Sequence, residues 1–134
     1  MRRYIYVDTE NVSTSAWFND ISKLSSNDTL LLFYTERSAN IKLTMDDLNL
    51  LSIKCKIICC RVSAVGRNSL DFVLVTELGR YAYLAKKAKH YIISHDSGFM
   101  SSILHLRNMV DGLCVNMRNT LSDCLEQERD SVEE

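Results

Sequence analysis

Apolar residues fall into short continuous runs separated by longer stretches in which they recur every three or four positions. Short continuous runs suit strands buried on both faces, and the longer recurrence suits helices with a single inward stripe. The runs predict strands over 4–7, 29–34, 55–62, 91–94 and 113–117. Between the first two, Ser13 to Ser15 can cap a helix carrying Trp17, Ile21 and Leu24 on one face. Thr44 can cap another, with Asp46 and Asp47 in its positive first turn and Leu48 and Leu51 along it. From Ser69 onward, Phe72, Val73, Leu74, Leu78, Tyr81, Ala82 and Ala85 predict the longest helix, ending in the basic run AKKAKH. Residues 97–109 predict a helix that turns Ile103, Leu104 and Met109 inward.

The order is βαβαβαβαβ, which implies an α/β three-layer sandwich: a mostly parallel sheet of about five strands with helices on both faces. With no proline and four glycines, element ends rest on polar clusters and caps. A chain of 134 residues suits one domain with one core, here expected over 1–118, followed by an acidic helix or tail over 119–134. The 25% charged and 46% hydrophobic fractions are those of an ordinary folded domain. A net charge of −1 supplies no global field for nucleic acid, although an acidic tail can mask a local basic edge. No apolar run approaches the roughly 20 residues needed to cross a bilayer. The opening MRRYIYVD meets an aspartate too soon for a signal peptide, so a cytoplasmic location is expected. Five cysteines without CxxC or Cys/His zinc spacing read as reduced thiols.

Three acidic residues change the picture from fold to chemistry. Asp8 closes the first predicted strand, Asp96 follows the fourth, and Asp71 opens the longest helix. In an open α/β sheet the carboxyl ends of neighbouring strands share one crevice, and a helix opening there brings its first turn to the same edge. Carboxylates that close repel one another and stay ionised together most readily around a cation. Oxygen donors without His or Cys select Mg²⁺ or Mn²⁺, which activate water and offset phosphoryl charge. Taken singly, each aspartate also fits a turn or a helix cap. The haloacid-dehalogenase box is excluded because DTEN lacks its second aspartate, and no GxGxxG loop, Walker A loop or nucleophile elbow is present.

The segments VDTENV, NSLDF followed by ELG, and IISHDSGF resemble the bacterial PIN-like branch close to the NYN ribonucleases, from about residue 4 to residue 117. That resemblance implies a parallel sheet and a metal-dependent nuclease acting mostly on RNA. It implies that Asp8, Asp71 and Asp96 are the metal-binding and catalytic acids, with Asn11 and Asn68 lining the pocket. The expected activity is endoribonucleolytic hydrolysis of single-stranded RNA with Mg²⁺ or Mn²⁺, in a toxin, phage-defence or RNA-processing setting. Homodimers are common among such proteins, so a dimer is a further expectation. The rival is a catalytically inactive binding module on the same fold. Two positions depart from the pattern: His95 stands where relatives often carry asparagine before the third acid, and Ser97 where they often carry lysine after it.

The remaining candidates divide. Glu10 is either a fourth acid or a solvated loop residue, and Glu36 either an acid from the second strand end or a surface partner of Arg37. Arg37, Lys42, Arg67 and Arg80 are candidate phosphate contacts, or simply a solvated face. His95 reads better as a surface residue than as a replacement phosphate donor. Lys86, Lys87 and Lys89 read as cations at a helix C-terminus. Trp17 and Phe18 could stack a base, but helical spacing favours burial for Trp17, and Tyr34 and Phe99 are read alike. Met45, Met100, Met109 and Met117 read as core or gap filling.

Overall fold

A computed structural model describes residues 1–38, 41, 43–63 and 65–125. Lys42, a candidate phosphate contact, and most of the acidic tail lie outside the described residues. Five strands alternate with the helices: β1 (Arg3–Asp8), β2 (Asp28–Tyr34), β3 (Lys56–Arg61), β4 (Lys89–Ile93) and β5 (Cys114–Arg118). Helix α1 (Ser15–Phe18) and a 3₁₀ turn (Ile21–Lys23) follow β1, α2 (Met45–Lys54) follows β2, α3 (Ser69–Leu84) follows β3, and α4 (Phe99–Met109) follows β4. All strand pairs are parallel, in the order β3-β2-β1-β4-β5. The chain first builds outward from β1 through β2 to β3, then returns to the other side of β1. The reversal falls between β1 and β4, and a crevice opens at the carboxyl end of such a switch point.

Burial explains the strands. In β1 every residue after Arg3 is buried, because helices cover both faces and the side chains alternate between two cores. Tyr4, Tyr6, Leu31, Phe33, Ile92 and Val115 meet Leu70, Leu74, Leu78 and Ala82 of α3 and Phe99 and Ile103 of α4. On the opposite face Ile5, Val7, Leu30, Leu32, Tyr91 and Ile93 meet Trp17, Ile21 and Leu51. Leu121 and Cys124, in a helical stretch over 121–125, join this second core. Thr44 caps α2 as its sequence predicts, and Asp47 returns the bond in a capping box.

Several inward assignments are corrected. The stripe of α3 is Leu70, Leu74, Leu78 and Ala82, while Phe72 and Val73 are exposed. Helical recurrence cannot distinguish two adjacent apolar stripes, and packing on the sheet chose one. Leu104 and Met109 of α4 and Met45 of α2 are likewise exposed, whereas Met100 and Met117 pack against the core. Lys89 belongs to β4, not to the preceding helix end. A buried polar pair sits under α3. The Ala85 carbonyl can only accept, so His90 Nε2 carries the proton at 3.0 Å, and Nδ1 accepts from the Tyr6 hydroxyl at 2.9 Å.

Candidate active site

The site begins at the switch point. Val7 lies opposite Ile93 in the β1–β4 register, so the next residues, Asp8 and Ser94, emerge side by side at the carboxyl edge. Asp8 is completely buried. Its Oδ2 accepts from Asn11 Nδ2 at 2.6 Å and Ser94 Oγ at 2.9 Å, and its Oδ1 accepts from the Glu10 amide at 3.3 Å. Burial pushes the Asp8 carboxyl above its ordinary range, and the bonds from Asn11, Ser94 and Glu10 oppose that rise. Asn11 thus holds the Asp8 carboxylate directly.

Ser94 also accepts from the Asp96 amide at 3.1 Å, so one hydroxyl ties the first acid to the loop bearing the third. Asp96 Oδ1 in turn accepts from the Gly98 amide at 2.9 Å as the chain enters α4. The glycine has a steric reason. A Cβ at position 98 would stand 3.0 Å from Asp96 Oδ1.

Asp71 arrives from α3, in the first turn after Asn68, whose φ of 63° is left-handed, a conformation that asparagine tolerates better than most residues. Its carboxyl is raised to about 6, first by burial, then by repulsion from Asp8 and Asp96, by a hydrogen bond with Asp96, and by repulsion from Glu10. That coupling brings together all three acids that the sequence singles out, with Glu10 close enough to be felt. Glu10 is held by a short hydrogen bond from the Thr35 hydroxyl at the end of β2. Asn68, Asp71 and Asp96 line a cleft of about 390 Å³ with Phe72, Phe99 and Ser102.

Other candidates are placed elsewhere or otherwise engaged. Glu36 is exposed, and Thr35 is the β2-end residue that reaches Glu10. Arg37 is exposed and its guanidinium donates to the Gly66 carbonyl at 3.2 Å, clasping the loop that leads to Asn68. Arg67 is exposed in that loop. Arg80 pairs with Glu77 at 2.9 Å and lies over the Tyr81 ring. His95 Nδ1 is 3.1 Å from Asn119 Oδ1 at the protein surface. Trp17 is fully buried and Phe99 nearly so. Sequence reasoning missed Ser94, Thr35 and Gly98. The signal for Ser94 was present, as the polar residue ending the IIS run beside the strand that carries Asp8.

Among the described residues, no ion pair neutralises Asp8, Glu10, Asp71 or Asp96. Among the described residues, no group of three or more His, Cys, Asp or Glu side chains stands close enough together to hold a metal ion as placed. The donors nevertheless fit a hard divalent ion: they are all carboxylate oxygens, they repel one another, and Asp71 is raised in a way that a nearby cation would reverse. No helix among the described residues is long and apolar enough to cross a membrane.

Neither the curated proteins nor the solved structures contain a match to the chain. The PIN domain family matches over residues 2–116, from just before β1 into β5. PIN domains are generally metal-dependent nucleases that use divalent ions, and the five-stranded all-parallel sheet with its helices accords with the PIN-like sandwich. Fold and family match therefore agree, and the chain belongs to the PIN domain family.

Proposed function

We propose that this PIN domain is a metal-dependent endoribonuclease, with Asp8, Asp71 and Asp96 as its metal-binding and catalytic acids. The observation that carries the reading is that Asp71 and Asp96 line one cleft and Ser94 ties the Asp96 loop to Asp8, with no neutralising cationic side chain on these acids among the described residues. Asp71 and Asp96 offer the more open oxygens, while Asp8 is held by Asn11 and Ser94 with one oxygen less heavily engaged. Mg²⁺ or Mn²⁺, when bound, would supply an activated water and offset charge on the phosphoryl oxygens. Ser94 and Gly98 hold Asp8 and Asp96 in place, and Thr35 orients Glu10 toward the acidic group. Asn68, on the rim of the cleft, has a side-chain amide that can orient a water or a phosphate oxygen. Arg37 and Arg67 are exposed on the loops near Asn68, where they can take flanking phosphates.

The test is cleavage of labelled single-stranded RNA by the purified protein and its Asp71→Asn variant in Mn²⁺, Mg²⁺ or EDTA. Metal-dependent cleavage that the variant loses is the expected result, and equal cleavage by both sinks the assignment. A catalytically silent binding module is the second reading. It is favoured by the absence of an assembled metal-holding group among the described residues and by two departures: His95, which faces Asn119, stands where relatives often carry asparagine, and Ser97 where they often carry lysine. Metal-independent RNA binding without cleavage would select it.

A further inference from the structure

Two clefts on the α3 and α4 side of the sheet run into one another. The acidic cleft shares Val75, Ser101 and Ser102 with a second one of about 310 Å³ that continues between the helices to His105. Past Asp71 and Asp96 the lining changes character: it carries hydroxyls, an imidazole and apolar carbons, and no further carboxylate. Ser102 and His105 lie three residues apart on α4, and neither side chain has a hydrogen-bond partner among the described residues. On the wall of the acidic cleft, one helical turn before the shared Val75, stands Phe72. It directly follows Asp71, lines the acidic cleft, and is 67% exposed although the stripe beside it is fully buried.

An aromatic ring in water at the mouth of a charged cleft has one face free to stack. A nucleobase can use that face only after leaving its helical stack, which selects an unpaired strand and tolerates any base. The hydroxyls and imidazole beyond it can donate to a phosphodiester backbone, where a carboxylate would repel it. We infer that the α3–α4 groove seats the single-stranded RNA segment adjoining the acidic cluster, with one unpaired base stacked on Phe72 and its backbone against Ser102 and His105. The inference rests on the ribonuclease reading for its ligand and on the continuity of the two clefts for its path.

Binding of a short fluorescein-labelled single-stranded RNA is measured by anisotropy on the Asp71→Asn protein, which keeps the RNA intact, with Mg²⁺ present. On that background Phe72→Ala should weaken binding about 5- to 150-fold, the range that loss of one base stack produces, and Phe72→Trp should preserve it. Tyr83→Ala, which removes another exposed aromatic near the far end of α3, should leave it unchanged. A blunt RNA duplex should bind without dependence on Phe72. Equal binding by the parent and Phe72→Ala overturns the inference, as does absence of RNA binding by the parent. Sedimentation showing a dimer that Phe72→Ala dissolves, with RNA affinity unchanged, would assign the groove to a second copy of the chain and overturn it too. Cleavage by the wild type separates the two readings. Cleavage without Phe72-dependent binding removes only the groove, and Phe72-dependent binding without cleavage removes only the nuclease.

Discussion

Replacing Asp71 by asparagine should make the metal-free protein more stable at alkaline pH, an unusual outcome for a residue at the centre of a site. The folded carboxyl is raised from 3.8 to about 6. A group raised on folding contributes stability that is complete below its unfolded value and is lost as pH rises through its folded one. Wild-type protein therefore loses this contribution between about pH 4 and pH 6, whereas the isosteric amide has no charge to repel Asp8 and Asp96. The full shift sets a ceiling of about 3 kcal/mol on the difference. Asp71 is partly exposed, and solvent screening reduces the expected gain to about 1 kcal/mol, or roughly 4 °C in Tm. Urea unfolding in EDTA, followed by fluorescence of the single, fully buried Trp17, measures it at pH 4.5 and pH 8. Comparing two proteins that differ at one position cancels titrations elsewhere. The variant should exceed the wild type only slightly at the lower pH, where most of the contribution survives, and by the larger margin at the higher. Excess Mn²⁺ should then invert the order, since ligand at 100 times its Kd stabilises only the binding-competent protein, by about 2.7 kcal/mol. A variant no more stable than wild type at pH 8 in EDTA would refute the claim that the three acids repel one another in the fold.

Gly98→Ala should displace the Asp96 carboxylate, which a new Cβ would meet at 3.0 Å, and weaken Mn²⁺ binding about tenfold in a metal titration followed by thermal shift; unchanged affinity would mean that the close approach is incidental. Ser94→Ala removes the buried hydroxyl shared by Asp8 and the Asp96 amide, and should cost about 1–3 kcal/mol in urea unfolding while also weakening Mn²⁺. A stability loss with intact metal affinity would leave Ser94 a purely structural role. Burial lowers the His90 pKa, so its contribution is complete above the ordinary value of 6.5 and is lost as pH falls through the folded one. The stability gap between wild type and His90→Gln should therefore narrow from pH 8 to pH 5, and a constant gap would contradict the neutral, doubly hydrogen-bonded imidazole.

Local chemistry was written into the chain. Continuous apolar runs mark strands covered on both faces, and the Thr44 cap, the long helix after Ser69 and the acids at strand ends depend on neighbours within a few residues, so they could be read without coordinates. The PIN resemblance likewise rested on short segments around Asp8, Asp71 and Asp96. Which stripe of α3 faces inward was not readable, because Phe72 and Val73 are as apolar as Leu70 and Leu74 and only contact with β1 and β2 separates them. Nor was the bond from Ser94 to Asp8, 86 residues apart in sequence, because it exists only once β4 pairs with β1 in one register. The sequence by itself determined the elements and the donor types, since both follow from residue identity and short-range spacing. Tertiary structure alone decided the strand order, the coupling of Asp71 to Asp8 and Asp96, and the exposure of Phe72 beside them, because each depends on long-range packing that brings distant segments to one edge.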